Sequence, residues 1–224
     1  MKKASDSRSH LKKQDVPSFK ARKQPVQARS EETVRAIREA AVQVLLAKGG
    51  AKMTTTDVAH RAGVSVGTLY QYFPNKGALL HSILSAHLEL CTCAVEDVCL
   101  AQRGQPLPQM AAALVESFIE AKLHNGAASA ALYAISEELD SKTLLKKQQG
   151  RARKALTQML QSAPGVRFPQ LEATVLMLYA ALGGAMRVVL EAGAGKALVA
   201  STRAELRLMV EGHLERASVS VGRP

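Results

Sequence analysis

The side chains best suited to chemistry lie on one short segment, and their types match the edges of DNA bases. On a helix that turns about 100° per residue with Leu69 buried, Gly67 and Gln71 fall on the opposite, outward side. A glutamine can read adenine through paired hydrogen bonds, and the methyl group of Val66 or Thr68 can meet a thymine methyl. The segment therefore has the side chains of a base-contacting helix.

The flanks of this segment suit the phosphate backbone. Ser65 caps the helix and leaves its first amide groups pointing outward, which is a ready phosphate contact. Three further side chains are better placed for phosphates, which set register rather than sequence: Tyr70, Tyr72 and Lys76. Two apolar residues fall near Leu69 and are expected to pack inward, Val66 and Phe73.

Short helices must position these side chains, and the sequence marks where they begin and end. A helix from about Ser30 to Lys48 is followed by a glycine pair. Thr54 and Asp57 form a capping-box-like start to the next helix, and Gly63 stands where a left-handed turn residue is needed. The pattern predicts a helix-turn-helix over residues 54–73, as in many proteins that bind duplex DNA.

Residues 30–80 resemble the TetR family of bacterial transcriptional regulators. The resemblance covers about a quarter of the chain, and its motif residues are Thr55-Thr56, Asp57-Val58-Ala59, Ala62-Gly63-Val64-Ser65, Gly67-Thr68-Leu69-Tyr70, Tyr72-Phe73, Asn75-Lys76 and Leu79-Leu80. It implies an all-α homodimer with an N-terminal three-helix DNA-binding domain (29–80) and a larger C-terminal helical domain (81–217) for ligand binding and dimerisation.

The resemblance also implies a function and a set of contacts. The expected protein is a transcriptional regulator, a repressor in the family's usual mode, which binds a palindromic operator and is released by a small apolar or amphipathic ligand. Val66 departs from the polar or basic residue of many members. The DNA-contacting positions are then Arg29, Thr55, Thr56, Ser65, Gly67, Thr68, Tyr70, Tyr72 and Lys76, with Val66 and Gln71 added from the helix pattern.

Composition and charge agree with a helical protein that binds an anionic partner. Of the 224 residues, 47% are apolar and only 4% aromatic, which favours packed helices over sheets. The net charge is +11, and residues 1–30 carry nine Lys or Arg and two Asp. We expect residues 1–28 to be a disordered basic tail, either a DNA-contacting arm or a solubilising segment, and residues 218–224 to be a flexible end.

The C-terminal half shows helical periodicity but no specific motif. The predicted helices are 76–102, 108–125, 127–139, 143–162 and 168–191, and a capping box of Thr202 and Glu205 opens the last one. Small residues over 173–190 predict a dimer seam or tight packing within one subunit, with the candidate residues Ala181, Gly184, Ala185, Val188, Leu206, Val210 and Leu214. The candidate ligand contacts, each of which has plain core as its alternative, are Met110, Phe118, Tyr133, Met159, Met177 and Tyr179.

Other classes of protein find little support. The sequence has no phosphate-binding glycine loop, HExxH or GxSxG motif, so we expect no catalytic residue, no metal and no cofactor. His87, Cys91 and Cys99 are spaced for metal or redox sensing, yet they also suit a buried helical stripe, where a free cysteine is simply a small apolar residue; a role for Cys91, Cys93 or Cys99 stays open. The apolar run 173–186 is too short to span a bilayer, which favours a cytoplasmic protein. A sequence-neutral, chromosome-coating protein stays the alternative among DNA binders.

Overall fold

The computed structural model describes residues 28–136 and 141–221. The predicted basic tail therefore lies outside the described residues except for its last residue, Ala28. The described chain is almost entirely helical, as predicted, and its elements in order are α1 (Ala28–Lys52), α2 (Thr55–Ala62), α3 (Val66–Tyr72), α4 (Lys76–Ala101), α5 (Leu107–Leu123), α6 (Gly126–Ser136), α7 (Lys142–Gln161), β1 (Val166–Arg167), α8 (Leu171–Glu191), α9 (Lys196–Ala217) and β2 (Val219–Ser220).

The first three helices and the start of α4 form an N-terminal unit, residues 28–80. Its core joins the apolar stripe of α1 to the inner side of α3, where Ile37, Leu69 and Phe73 are buried. Gly49 has φ 73°, a left-handed conformation that interrupts α1 near its end. The predicted stop after Lys48 is thus confirmed as a break, although one more helical turn follows it to Lys52.

The rest of α4 and the helices α5 to α9 form a C-terminal unit, residues 81–221. Its core is made mainly of Leu, Val and Met side chains from α5, α7, α8 and α9. Helix α6 lies between the two units, because its residues Leu132 and Ile135 belong to the core of the N-terminal unit. The two units are consequently packed together through α1, α4 and α6.

Three expectations about the C-terminal half are wrong. Helix α8 begins at Leu171 rather than Phe168, because β1 ends at Arg167 and residues 168–170 form the turn that leads from this strand to the helix. Helix α9 begins at Lys196, so Thr202 lies inside the helix rather than at its cap. The segment after α9 is not a free end over its described part: Val219 pairs with Arg167, and Ser220 with Val166, in a two-stranded antiparallel sheet.

Helices α4 and α8 are each long and apolar enough, by length and composition alone, to cross a membrane, a test that the core helices of a soluble protein also pass. In α4, half of the apolar window is buried inside the protein, and in α8 39% is. Both helices carry core residues of the helical fold, such as Leu84 on α4 and Leu182 on α8. Packing within the protein accounts for the buried apolar residues of both helices. Helix α8 also has an exposed apolar face.

Candidate nucleic-acid interface and ligand cavity

Local groups fix both ends of α2, a capping box at its start and a left-handed glycine at its end. The backbone N–H of Asp57 donates to Thr54 Oγ1 over 3.1 Å, and the carboxylate of Asp57 accepts from the Thr54 N–H over 3.3 Å, which completes a capping box. Lys48 Nζ lies 2.7 Å from Asp57 Oδ1, and the hydrogen bond from Lys48 holds the pKa of Asp57 below its usual value. Gly63 ends α2 at φ 67°, as predicted.

Helix α3 divides into a buried side and an exposed side. Leu69 is fully buried and Phe73 is 1% exposed, so these two residues fix the helix on the N-terminal core. Gly67 and Gln71 are exposed, as the helical periodicity predicts. The expected inward packing of Val66 is wrong, because its side chain is 38% exposed and lies at the start of the helix, away from the core.

The candidate phosphate-contacting groups surround the exposed side of α3. The Ser65 hydroxyl accepts from the Thr68 N–H over 2.9 Å, which confirms the predicted cap. Tyr70 is 42% exposed, and its hydroxyl lies 3.0 Å from Thr55 Oγ1 on α2. The recognition surface, as we call it, therefore joins α2 to α3 and consists of Thr55, Thr56, Ser65, Val66, Gly67, Thr68, Tyr70, Gln71, Tyr72 and Lys76.

Three of the candidate residues need separate comment. Tyr72 is half-buried and packs against the N-terminal core, so only part of its side chain is available to a partner. Lys76 Nζ donates to the carbonyl oxygen of Ala51 over 3.3 Å, which ties the start of α4 to the end of α1. Arg29 lies in the first turn of α1, and its side chain is outside the described residues.

A cavity of about 270 Å³ lies among α4, α5, α6, α7 and α8. We call it the α4–α8 cavity. Three of the residues expected at a ligand site line it, Phe118, Tyr133 and Tyr179. Met110 and Met159 were expected there too, but both are fully buried in the surrounding core and do not reach the cavity. Met177 was expected at the ligand site as well, but its side chain is 51% exposed on the outer face of α8.

A larger groove of about 730 Å³ lies between α1 and the helices α4 to α6. Charged residues of the first turns of α1, including Glu31 and Arg35, form part of its wall, and both are exposed. Both this groove and the α4–α8 cavity are partly open to solvent. The smaller α4–α8 cavity is the better candidate for a ligand site because helices of the C-terminal unit alone surround it and aromatic and polar side chains line it.

Lys122 is a cavity residue that the sequence reading missed. Its side chain is only 4% exposed, and its Nζ lies 5.0 Å from the ring centroid of Tyr133 and 5.6 Å from that of Phe118. Burial lowers the pKa of Lys122, but the neighbouring Tyr133 and Cys91 outweigh it and keep that pKa above its ordinary value. A signal was present: the apolar residues Met110, Leu114 and Phe118 repeat every four positions along α5, and Lys122 continues that row.

The cysteine and histidine residues near the cavity behave as core groups. Cys91 Sγ lies 3.8 Å from His87 Nε2, and burial raises the pKa of the Cys91 thiol and lowers that of His87 to about 4. Burial also raises the pKa of Cys99 to about 12, so neither buried cysteine is a reactive thiolate at neutral pH. Within the described ranges, no group of three or more potential metal ligands is found.

The predicted dimer residues fall into two groups. Leu206, Val210 and Leu214 are 3% exposed or less and pack into the core of their own subunit, so their assignment to an interface is wrong. Their spacing of four residues marks the inner side of α9, which the C-terminal unit needs to close its core. On α8, Ala181 and Ala185 are half-buried, whereas Gly184 and Val188 are exposed.

A helix-turn-helix with an exposed recognition surface, followed by a larger helical unit with an internal cavity, defines a class of one-component DNA-binding regulators. Residues 37–83 match the family model of bacterial regulatory proteins of the tetR family. Residues 106–214 match the model of the tetracyclin repressor-like C-terminal domain. Together the two matches cover most of the chain, and it belongs to the TetR family of transcriptional regulators.

Relatives agree with this assignment. An uncharacterized HTH-type transcriptional regulator of Bacillus subtilis, YvkB, is 40% identical over 55 residues, which are 25% of this chain and 29% of that protein. A TetR-family regulator from Mesorhizobium loti has a TM-score of 0.70 at 17% identity, over 86% of this chain and all of that one. SmeT, the repressor of a multidrug efflux pump of Stenotrophomonas maltophilia, has a TM-score of 0.63 at 20% identity, over 85% of this chain and 94% of that one. At these identities, the structural likeness shows the fold.

The family assignment also bears on the rival classes. TetR-family regulators are DNA-binding proteins without enzymatic activity, so the expectation of a non-enzyme is confirmed. Regulators of this family bind DNA and dimerise, and the particular operator and homodimer of this chain stay predictions. The individual contacts of the recognition surface, the cavity and the interface stay predictions.

Proposed function

We propose that this TetR-family regulator is a cytoplasmic, homodimeric repressor that binds a palindromic operator and leaves it when a small ligand enters the α4–α8 cavity. In this proposal residues 29–80 are the DNA-binding domain and residues 81–217 the effector and dimerisation domain. The observation that carries the proposal is the division of α3: Leu69 and Phe73 anchor it, while Gly67 and Gln71 are exposed on the other side.

The chemistry of the recognition surface supports sequence-specific binding. Gln71 can donate and accept at one adenine edge, and the small Gly67 lets the helix approach the groove closely. The exposed hydroxyls of Thr56 and Tyr70 and the Ser65-capped start of α3 supply phosphate contacts that fix the register. A chromosome-coating protein needs phosphate contacts alone, so an exposed glutamine at the centre of the surface favours the regulator.

The exposed apolar face of α8 and α9 supports the dimer. Met177 is 51% exposed and Val188 64% on α8, and Leu208 is 64% exposed on α9. A Cβ added at Gly184 would meet no atom within 4 Å, so packing inside one subunit does not require that glycine. Exposed apolar side chains beside glycines suit close helix approach between two subunits. Two copies of α3 about 34 Å apart would then reach successive major grooves.

The position of α6 supports a ligand effect on DNA binding. Tyr133 of α6 lines the cavity, whereas Leu132 and Ile135 of the same helix are buried in the core of the N-terminal unit. Arg38 Nε on α1 also donates to Ser82 Oγ on α4 over 2.8 Å. A ligand that favours a different tilt of α4 or α6 would shift α1 and change the spacing of the two α3 helices. Neither release by such a shift nor repression by steric blocking at the operator requires a further binding surface on the protein.

Selection of bound sequences from a random duplex pool by the full-length chain tests the operator. We expect one enriched palindrome, which the protein prefers over unrelated duplexes even when the salt concentration is raised. Gln71→Ala should relax the preference at one base pair in each half-site, by about 1–3 kcal/mol per contact. Gln161→Ala, at an exposed position at the end of α7, is the control. Equal binding to all duplexes would contradict the proposal and favour the chromosome-coating alternative.

Substitution of the apolar face tests the dimer. Val188→Glu should convert the protein to a monomer in light scattering and lower operator affinity at least 100-fold. Leu100→Glu is the matched control, because Leu100 is 61% exposed but lies at the far end of α4. A Val188→Glu protein that stays dimeric and binds the operator normally would place the interface elsewhere.

A further inference from the structure

The wall of the α4–α8 cavity carries a single formal charge among the described residues that line it, and that charge is on Lys122. The other polar groups of the wall are the thiol of Cys91, the hydroxyls of Thr92, Tyr133 and Tyr179, and the amides of two glutamines. Burial raises the pKa of Cys91 and that of Tyr179, so both groups are neutral at physiological pH. His87, which is close enough to feel the charge of Lys122, is neutral as well, since its pKa is about 4.

The carboxylates nearest to this part of α4 are already engaged. Glu89 Oε1 lies 2.6 Å from Arg151 Nη1, and Glu96 Oε2 lies 2.5 Å from Arg151 Nη2. Arg151 holds the pKa of Glu89 at about 2, so this carboxylate keeps its charge and its partner. Among the described residues, no carboxylate lies within ion-pair distance of Lys122; its ammonium lies near the rings of Phe118 and Tyr133 and hydrogen-bonds to the side chains of Tyr133 and Cys91.

A buried ammonium without a counter-ion is costly. Lysine is almost never fully buried unless it is paired, because removing its charge from water costs several kcal/mol. Contact with two aromatic rings returns about 0.5–2 kcal/mol of this, and the hydrogen bonds to Tyr133 and Cys91 help to hold the ammonium in its charged form, but none of these groups is a carboxylate that neutralises the charge. A core position on α5 would be filled more favourably by leucine or methionine. The ammonium is therefore suited to a partner that arrives from outside, with a negative charge, into the space beside it.

We propose that the effector of this regulator is a small organic anion, a carboxylate with an apolar body, and that Lys122 pairs with its carboxylate group. This inference rests on the proposed function, since it names the ligand class of the same cavity. The aromatic rings of Phe118, Tyr133 and Tyr179 contact the apolar body. Gln148 of α7, whose side-chain amide donates to Glu89 over 2.8 Å, ties α7 to α4 at the wall of the cavity.

The size of the cavity limits the ligand. At about 30 Å³ for each water-sized group, a volume of 270 Å³ holds roughly nine such groups. A carboxylic acid of about six to nine carbon atoms fills this space, whereas a long acyl chain or a coenzyme thioester exceeds it. Octanoate is a suitable probe, and octanamide and octylamine carry the same apolar body with a neutral and a positive end.

Calorimetric titration of the full-length protein with these three probes tests the ligand class. Octanoate should bind at least ten-fold more tightly than octanamide, and octylamine should not bind. Lys122→Met should lower octanoate affinity at least ten-fold, to that of octanamide, while leaving octanamide binding in place. Lys147→Met, which removes an exposed lysine of α7, should leave all three affinities unchanged.

The design separates failure of this inference from failure of the proposed function. Equal affinity for octanoate and octanamide, loss of both probes in Lys122→Met, or no binding of any probe overturns the inference. Thermal unfolding of ligand-free Lys122→Met, expected at or above that of the parent, shows that the variant is folded. Operator binding is followed separately: if octanoate binds through Lys122 and the operator stays bound, the release mechanism fails and the anion site stands. If octanamide releases the operator as effectively as octanoate does, the anion site fails and the release mechanism stands.

Discussion

The recognition surface and the α4–α8 cavity are built in opposite ways. All residues of the recognition surface lie between Thr55 and Lys76, and local caps and one glycine turn set their positions. The cavity takes its walls from five helices, whose lining residues run from Leu88 to Gly184. A surface for a long, uniform partner can be encoded locally, whereas a chamber for a small ligand requires the tertiary fold.

The two sites also differ in where they keep their polar groups. The recognition surface exposes hydroxyl, amide and phenol groups, which stay solvated until a partner arrives. The cavity keeps a charge inside the protein, where it is costly unless compensated. Binding at the first site therefore exchanges water for phosphate and base contacts. The proposed binding of an anion at the second site would supply the negative charge that the described wall of the cavity lacks.

The largest expected effect is a difference in unfolding free energy between a substitution at a fully packed residue of α3 and one at a residue of the cavity wall. Leu69→Ala should lower the free energy of unfolding by about 2–5 kcal/mol, because the removed side chain is fully buried and leaves a void. Leu88→Ala should cost only about 1–2 kcal/mol, because Leu88 is half-buried beside an existing cavity. Urea unfolding of both variants measures the difference. Equal losses would mean that the cavity wall is as tightly packed as the base of α3.

A second substitution tests whether the two sites are mechanically joined. A Cβ added at Gly50 would lie 2.8 Å from Ile135 Cγ2 on α6, so Gly50→Ala should force α1 and α6 apart and cost about 1–3 kcal/mol. We expect operator affinity to change at least three-fold. Gly150→Ala is the control, since its Cβ meets nothing within 4 Å and alanine favours a helix interior by about 0.5–1 kcal/mol. Unchanged operator binding in Gly50→Ala would remove α6 from the proposed coupling.

The N-terminal unit was largely predictable because its signals are local. The capping box at Thr54, the left-handed Gly63 and the Ser65 cap are each encoded within four residues, and all three occur as expected. The helical periodicity placed Gln71 outside and Phe73 inside correctly. It wrongly placed Val66 on the inner side. Val66 lies in the first turn of a short helix, and this turn extends past the edge of the core on which the helix packs.

The C-terminal unit was predictable as a set of helices but not as a site. An apolar stripe such as Leu206, Val210 and Leu214 has the same spacing in the sequence whether it faces the core of its own subunit or another subunit. Methionines at helical spacing likewise do not reveal whether they fill the core, as Met159 does, or face outward, as Met177 does. Only the arrangement of the helices decides these cases. Lys122 was the one local anomaly, a charge in an apolar row.

His87, which lines the groove between α1 and the helices α4 to α6, should make stability sensitive to pH. Burial, and then the charge of Lys122, lower the pKa of His87 from 6.5 to about 4 in the folded protein. Between these values the unfolded chain binds more protons, so stability is full above pH 6.5 and falls as the pH decreases towards 4. We expect His87→Gln to remove about 1–3 kcal/mol of this loss, measured by urea unfolding at pH 7 and pH 4.5. His60→Gln, at an exposed position of α2, should leave the pH profile unchanged.

The smallest expected effect belongs to a single hydroxyl on the recognition surface. Tyr70→Phe removes the hydrogen bond of 3.0 Å to Thr55 Oγ1 and a candidate phosphate contact, each worth about 0.5–1.5 kcal/mol net. Operator affinity should fall about 2- to 10-fold, and because phosphates carry no sequence information, the fall should be similar for all operator variants. Tyr179→Phe makes the same chemical change in the cavity wall and should leave ligand-free operator binding unaltered. An equal loss in both variants would mean that the cavity wall sets the position of α3 even without ligand, so that the two sites are one mechanical unit rather than two.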